Sequence, residues 1–417
     1  MTEPTHFIDG VDVVALATRV PTPFYAYSAG AIGQRIATLR GALQGSDTCI
    51  CYAVKANSNL AVLQLMAQQG VGADIVSVGE LRRALHAGIP AQRIVFSGVG
   101  KTGEEIDVAL AAGIWKFNLE SFDELQLLQK IARRRGSVAH AAVRVNPDVD
   151  AGTHEKISTG KAQNKFGVGI GEAREWFARS AEFPDVRLDG LHAHIGSQIL
   201  SLEPFRQAMQ RVAEFGRELQ MVGKRLTSID VGGGLGVCYR HGHDRPVDVT
   251  DYARVLRETF AGFDGTLVLE PGRWLVAEAG VLLTRAIRVK PGTGRTFLVV
   301  DAAMNDLQRP AMYDAWHEIV PLHAQAREPA RYDVVGPVCE SSDTFGIDRV
   351  MPACEAGDLL MISHAGAYGA SMSSTYNSRP LAAEVLLDRG RHAVVRRRQS
   401  FDEMIAGESL ATEWLTA

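Results

Sequence analysis

Short β-type runs alternate with helical stretches from about residue 47 to residue 270, and this alternation constrains the fold most strongly. The eight runs are TCICYAV (48–54), ADIVS (73–77), RIVFSG (93–98), IWKFN (114–118), HAAVRVN (140–146), LDGLHAHI (188–195), LTSIDV (226–231) and TLVLE (266–270). Amphipathic stretches such as SFDELQLLQKIARRRG separate them. Eight strands close a parallel (β/α)8 TIM-like barrel, which we predict here, with an open doubly wound sheet as the alternative.

The pattern changes after about residue 280, where apolar runs are separated by turn residues rather than by long helices. Runs such as RTFLVVDA, YDVVGPVC and DLLMISH are typical of antiparallel strands. We therefore predict a barrel domain over residues 27–278 and a mostly antiparallel β domain formed by residues 1–26 together with 279–417.

Composition excludes several classes of partner. A formal net charge of −4 gives no drive toward nucleic acid or an anionic membrane. The start, MTEPTHFIDG, lacks the features of a secretion signal, and no apolar run is long enough to cross a bilayer. The five cysteines show no disulfide-framework spacing, which fits reduced thiols in a cytoplasmic protein.

Polar residues recur where the barrel runs end. They are Lys55, Asp74, Ser77, Ser97, Asn118, Arg144, His194, Gly232 to Gly234 and Glu270. Barrel enzymes carry their catalytic groups on the face formed by the carboxyl ends of the strands. We therefore expect these residues to form a ring around one mouth of the barrel.

Lys55 in YAVKANSN has two interpretations. A lone lysine at a barrel rim is usually a surface residue whose ammonium reaches solvent. A desolvated lysine with a lowered pKa can instead form a Schiff base. The neighbouring motifs decide between these two.

Two glycine-containing motifs follow the last two runs of the barrel. IDVGGGLG (229–236) allows backbone N–H groups to approach a phosphate, as in barrel phosphate sites after late strands. LEPGRW (269–274) adds Glu270, Gly272 and Arg273 on the adjacent loop. A lysine, a phosphate site and a carboxylate at one barrel mouth indicate pyridoxal 5′-phosphate.

HAHIGS (192–197) places two histidines at i and i+2. We expect no metal there, because no acidic residue stands at a familiar metalloenzyme spacing. His194 at the strand end can instead stack on a planar cofactor.

The second domain contains further polar motifs. GPVCESSD (336–343) places Cys339 and Glu340 in a polar loop, which favours an accessible thiol over a buried one. NDLQRPAMYDAWH (305–317) predicts a helix with Pro310 in its first turn, so that Arg309 and Tyr313 share a face.

Together these residues resemble the fold-type III pyridoxal-phosphate-dependent decarboxylases, and within them the diaminopimelate decarboxylase family. The matching segments are YAVKANSN, GADIVSVGEL, RVNPDVDAGTHEKISTGKAQNKFGV, HAHIGSQI, DVGGGLG, LEPGRWLVAEAG, GPVCESSDTFG and GAYGASMSSTYNSRP. They extend from about residue 24 to residue 390. The resemblance implies decarboxylation of meso-2,6-diaminopimelate to L-lysine and CO2.

The resemblance also implies roles for individual residues. Lys55 would anchor pyridoxal phosphate, Glu270 would bind the pyridine nitrogen, and His194 would stack on the ring. The remaining cofactor contacts would come from Asp74, Arg144, Ser197, Gly233, Gly234, Gly272, Arg273 and Tyr368. Substrate would be bound by Arg273, Arg309, Tyr313, Glu340 and Tyr368. Cys339 would donate the proton from the other subunit of a homodimer that shares its active sites.

Other functions stay open on the sequence. The main alternative is a related decarboxylase acting on ornithine, lysine, arginine or a carboxylated polyamine, none of which presents a distal amino-acid carboxylate. An amino-acid racemase, a non-catalytic pyridoxal-phosphate carrier and a sugar-phosphate barrel enzyme are further alternatives.

Overall fold

The computed structural model describes residues 6–152, 159, 165–322, 327–412 and 414. The start MTEPT and most of the segment THEKISTGKAQN lie outside the described residues. The chain divides into two compact units. The barrel unit comprises Ala29–Ala279 with Gly366–Ser371, and the β unit comprises Met1–Ser28, Gly280–Ala365 and Met372–Ala417.

The β unit begins with a small hairpin and a short helix. Strand β1 (Phe7–Ile8) pairs antiparallel with β2 (Val11–Asp12), and α1 (Val13–Leu16) follows directly. The carboxylate of Asp12 caps this helix by accepting the N–H of Val14 at 2.8 Å. Strand β3 (Phe24–Ser28) then enters the main sheet of the β unit.

Eight parallel strands of the barrel unit close on themselves in chain order. They are β4 (Thr48–Ala53), β5 (Gly72–Ile75), β6 (Ile94–Phe96), β7 (Lys116–Leu119), β8 (Ala139–Arg144), β9 (Val186–His192), β10 (Ser228–Asp230) and β11 (Thr266–Leu269). Pairing of β11 with β4 completes the ring. The predicted (β/α)8 barrel is confirmed, and the open doubly wound sheet is wrong.

Helices occupy the connections of the barrel. They are α2 (Ala29–Ala42), α3 (Leu60–Gln68), α4 (Val78–His86), α5 (Gly103–Ala112), α6 (Phe122–Arg135), α7 (Ile170–Ala178), α8 (Leu202–Met221), α9 (Val249–Thr259) and α10 (Arg273–Val276). Helix α6 illustrates the local signals: the Ser121 hydroxyl accepts the N–H of Glu124, and Gly136 ends the helix in the left-handed region.

The remaining chain builds the mixed sheet of the β unit. Its strands are β12 (Gly280–Gly292), β13 (Arg295–Val300), β14 (Ile319–Pro321), β15 (Pro329–Val335), β16 (Thr344–Pro352), β17 (Leu359–Ile362), β18 (Ala383–Asp388) and β19 (Arg391–Arg396). Two short helices, α11 (Arg309–Tyr313) and α12 (Phe401–Ile405), accompany them. Among the described strands of this sheet, pairings are antiparallel except β13 with β15 and β3 with β18. The predicted mostly antiparallel β domain is confirmed.

Several predicted strands extend past the observed ones at their polar ends. The run TCICYAV ends in the structure at Ala53, and LDGLHAHI ends at His192. Lys55 therefore lies in a single 3-10 turn (Val54–Ala56), and His194 lies in a loop. Both residues therefore follow the carboxyl ends of their strands, in the connections rather than in the barrel wall.

Candidate active site

Lys55 projects from the turn after β4 and donates a hydrogen bond to Asp74 Oδ2 at 2.6 Å. Asp74 is fully buried on the neighbouring strand, opposite Ala53 in the ladder. Burial lowers the pKa of Lys55, but Asp74, Tyr368 and Glu270 outweigh burial, and the pKa is raised above its usual value. The lowered pKa expected from the sequence is therefore wrong for this arrangement: Lys55 is an ammonium held by a carboxylate.

Glu270 follows β11 and is 6% exposed. Ser97 Oγ and Asn118 Nδ2 donate to its Oε1 at 3.4 and 3.2 Å, and His192 Nε2 lies 3.2 Å from its Oε2. Burial raises the pKa of Glu270, yet His192 and Lys55 more than offset this and leave it well below its usual value. Glu270 is thus a buried anion with its donors already in place.

Asp230 shares this buried cluster, and its pKa is shifted in the opposite direction. Burial and the charge of Glu270 raise its pKa well above the usual range for an aspartic acid. Two carboxyls this close cannot both ionise at low cost, so the charge of Glu270 favours the protonated form of Asp230. Ligand atoms of His192, Asp230 and Glu270 lie within 4.8 Å of one another. Hydrogen-bond donors already surround Glu270, and the neighbouring Asp230 favours its protonated form. Glu270 is therefore better suited to accepting a hydrogen bond from a ligand than to binding a metal ion.

The run of glycines after β10 allows three loops to pack closely. A Cβ atom on Gly233 would lie 2.2 Å from the carbonyl oxygen of Glu270. On Gly234, which has φ +106°, it would lie 2.7 Å from the carbonyl oxygen of Gly196. Gly272 is similarly tight, since a Cβ atom there would lie 3.0 Å from that of Ala53. Any side chain at these positions would collide with a neighbouring loop, so only glycine leaves the open, glycine-lined cradle that a phosphate would need.

Arg273 organises the rest of this cradle. Its Nη2 donates to Ser197 Oγ at 3.0 Å, and its Nη1 donates to Tyr239 Oη at 2.8 Å. Its guanidinium carbon stands 4.7 Å from the centroid of the Tyr368 ring, and the Tyr368 N–H donates to the carbonyl of Ala56. A cation and three hydroxyl-bearing side chains thus lie together, which is an arrangement that suits an anion.

His194 is fixed as a neutral imidazole. The N–H of Gly233 donates to its Nδ1 at 3.2 Å, which leaves the proton on Nε2. Burial and the positive charges of Arg144 and Lys55 lower the pKa of His194 to about 3. A neutral ring anchored at one edge presents a flat face that suits stacking on a planar ligand.

Arg144 ends β8 and donates from Nη1 to Glu120 Oε1 at 2.6 Å. Glu120 also accepts the N–H of Gly167 at 2.8 Å, so one buried carboxylate holds both the arginine and the returning loop. Sequence reasoning identified Arg144 but missed Glu120, Asp230 and the contact between His192 and Glu270. Asp230 had a readable signal, because a carboxylate within the apolar run SIDV is costly unless it is partnered.

The structure thus brings together one large group of predicted residues in the barrel unit. These are Lys55, Asp74, Arg144, His194, Ser197, Gly233, Gly234, Glu270, Gly272, Arg273 and Tyr368. The other predicted residues belong to the β unit. Arg309 is buried on α11, whereas Cys339 and Glu340 are exposed in the loop after β15, where the Cys339 N–H donates to Asn377 Oδ1 at 3.1 Å.

Comparison with known proteins identifies the family of this chain. Residues 29–277 match the model of the pyridoxal-dependent decarboxylase, pyridoxal binding domain. The chain is 44% identical over 414 residues to the diaminopimelate decarboxylase of Zymomonas mobilis, covering 99% of this chain and 98% of the relative. It is 48% identical to that of Pseudomonas aeruginosa, covering 97% of each. The chain belongs to the diaminopimelate decarboxylase family.

Solved structures agree with this assignment. A crystal structure of diaminopimelate decarboxylase from Helicobacter pylori complexed with L-lysine has a TM-score of 0.92 and 44% identity, covering 95% of this chain and 99% of that one. The enzyme from M. jannaschii in co-complex with L-lysine gives a TM-score of 0.92 at 37% identity, covering 97% and 96%. The family resemblance inferred from the motifs is confirmed.

Two further observations concern membrane-spanning helices and cysteines. Within the part of the chain that the structure describes, no helix is long and apolar enough to cross a membrane. All five cysteines are free thiols in the structure.

Proposed function

We propose that this chain decarboxylates meso-2,6-diaminopimelate to L-lysine and CO2 with pyridoxal 5′-phosphate as cofactor. The observation that carries the proposal is the presence of both Lys55, which is held by Asp74, and the buried anion Glu270 at one barrel mouth. When bound, pyridoxal phosphate supplies an electron-withdrawing ring that stabilises the charge left when the bond between the α-carbon and its carboxylate breaks. A carboxylate at the pyridine nitrogen favours this chemistry, because it keeps that nitrogen protonated.

Several residues of the barrel would hold the cofactor. Lys55 would be its covalent anchor, and Glu270 would accept a hydrogen bond from the pyridine N–H. The loop of Gly233 and Gly234 would receive the phosphate, assisted by Ser197, Gly272, Arg273 and Tyr368. His194 would cover the ring face, and Asp74 and Arg144 would support the groups around it. Glu270 needs no reorientation for this role, since Ser97, Asn118 and His192 already hold it.

The second end of the substrate decides specificity. Diaminopimelate carries an amino group and a carboxylate at each end, so its distal end needs one cationic and one anionic partner. Arg309 binds the distal carboxylate, Glu340 binds the distal ammonium, and Tyr313 together with Arg273 and Tyr368 completes the contacts. A guanidinium suits this role because its planar fork matches a carboxylate in two hydrogen bonds.

Cys339 is the proton donor to the α-carbon after CO2 has left. Its exposure in the loop after β15 lets it serve the active site of a second copy. We therefore extend the proposal to a cytoplasmic homodimer in which the barrel, residues 27–278, binds the cofactor. Residues 1–26 with 279–417 then contribute the loop of Cys339 to the partner subunit.

Product analysis by mass spectrometry tests this function. The purified protein with added pyridoxal phosphate receives isotopically labelled meso-diaminopimelate with unlabelled ornithine, arginine and lysine in competition. We expect labelled lysine from diaminopimelate and no diamine. Arg309→Met should raise KM for diaminopimelate, whereas Arg331→Met, an exposed arginine of the same unit that pairs with the exposed Asp348, serves as the control. A diamine as the main product would overturn the substrate assignment while keeping the cofactor.

A further inference from the structure

His317 bridges the proposed distal-carboxylate arginine to the sheet of the β unit. The residue is fully buried between α11 and β14. Its Nε2 lies 2.8 Å from Arg309 Nη1, and its Nδ1 lies 2.8 Å from the carbonyl oxygen of Ser363, just after β17. One imidazole therefore joins a helix side chain to the backbone of a strand end.

These two contacts determine where the imidazole proton resides. A backbone carbonyl can only accept, so Nδ1 must carry the hydrogen. A guanidinium can only donate, so Nε2 must be the unprotonated acceptor. His317 is therefore neutral with its proton on Nδ1, and its lone pair faces Arg309.

The segment that carries His317 is itself clamped. Arg349 is buried, donates from Nη2 to the carbonyl of His317 at 3.0 Å, and covers the ring of Trp316 with its guanidinium. One residue further on, the carbonyl of Glu318 accepts the N–H of Ser363 at 2.9 Å. The backbone that carries the imidazole is thus held in place. The imidazole in turn holds Arg309 through the contact at Nη1.

We propose that His317 is a positioning residue that sets the plane of the Arg309 guanidinium for the distal carboxylate of the substrate. This inference rests on the proposed function, in which Arg309 binds that carboxylate. Bidentate recognition needs two parallel N–H donors in one plane, so rotation of the guanidinium loses one of them. A rigid acceptor at Nη1 prevents that rotation and makes the arginine ready before substrate arrives.

A matched pair of amide variants tests the proposal. In His317→Gln the amide oxygen reaches the position of Nε2 and can accept from Arg309. In His317→Asn the same amide is one methylene shorter and cannot reach it. Misplacing a binding group by about 1 Å can cost roughly 100-fold. We therefore expect His317→Asn to raise KM for meso-diaminopimelate by about tenfold to 100-fold with kcat changed much less, and His317→Gln to stay near wild type.

Three readouts separate positioning from folding. Thermal unfolding and the absorbance of bound pyridoxal phosphate should be alike for the two amide variants. In an Arg309→Met background, His317→Asn should have no further effect on kcat/KM, because its target is gone. Equal KM values for the Asn and Gln variants, or the same loss in both backgrounds, would overturn the inference. A wild-type protein that leaves diaminopimelate unchanged would instead overturn the proposed function, and His317 would then have no distal carboxylate to serve.

Discussion

Replacement of Glu270 by glutamine tests the electrostatics of the site most sharply. The variant keeps the volume of the side chain and one acceptor oxygen, so packing against Ser97 and Asn118 is preserved. It removes the negative charge that His192 faces at 3.2 Å and that the pyridine N–H of the cofactor would meet. The substitution therefore removes the charge behind two hydrogen bonds, to His192 and to the pyridine N–H, while the size of the side chain stays the same.

The size of the effect follows from the bond to the pyridine N–H. A hydrogen bond to a charged group contributes about 1.5–3 kcal/mol. Lost in the transition state, this corresponds to a fall in kcat of about 10- to 150-fold. Asp230 should respond as well, since the charge of Glu270 raises its pKa in the wild-type protein. The pKa of Asp230 should thus fall toward its usual value in the variant.

Steady-state lysine formation under saturating pyridoxal phosphate measures this change. Glu218→Gln is the control, because Glu218 lies on the exposed surface of α8 and pairs only with Arg174 in the contacts described. Cofactor content should be compared by absorbance, so that loss of binding is not read as loss of catalysis. A kcat of Glu270→Gln within about threefold of wild type would refute the proposed role.

Three further predictions follow from buried contacts in the barrel unit. Lys101→Met should lower stability by about 3–5 kcal/mol, since it leaves Glu124, 2.5 Å from the ammonium, as an unpaired buried charge; unchanged denaturant unfolding would contradict this. Gly234→Ala should weaken pyridoxal phosphate binding, because its φ and the nearby Gly196 carbonyl leave no room for a Cβ; equal affinity by titration would argue against the cradle. His194 has a pKa lowered to about 3, so its contribution to stability is present above its unfolded pKa of about 6.5 and is lost as pH falls toward 3. The melting temperature of wild type should thus fall more steeply over that range than that of His194→Gln, and parallel curves would contradict the assignment.

The barrel was readable from the sequence because its signals are local. Alternation of apolar runs with capped amphipathic helices, such as Ser121 before α6 and Gly136 after it, specifies each βα unit separately. Polar residues at the ends of the runs also indicated which side chains would lie together at one mouth of the barrel. The errors in strand ends arose at the same polar residues, because apolar periodicity continues into the turn that presents Lys55.

Pairwise contacts between distant strands could not be read in this way. The net effect on the pKa of Lys55 depends on Asp74, Tyr368 and Glu270, which the fold alone brings near. Likewise, nothing local distinguishes His317 from any buried histidine, since its partners Arg309 and Ser363 come from separate segments. The sequence shows which residues carry charged groups, whereas the protonation state of each group depends on the neighbours that the fold brings to it.

The most direct test of the central claim is to locate the covalent anchor. The purified protein with bound pyridoxal phosphate would be reduced with borohydride, digested and mapped by mass spectrometry. The account predicts a pyridoxyl-phosphate adduct on Lys55, and no adduct in Lys55→Ala. An adduct on another lysine, or its persistence in Lys55→Ala, would contradict the site described at this mouth of the barrel.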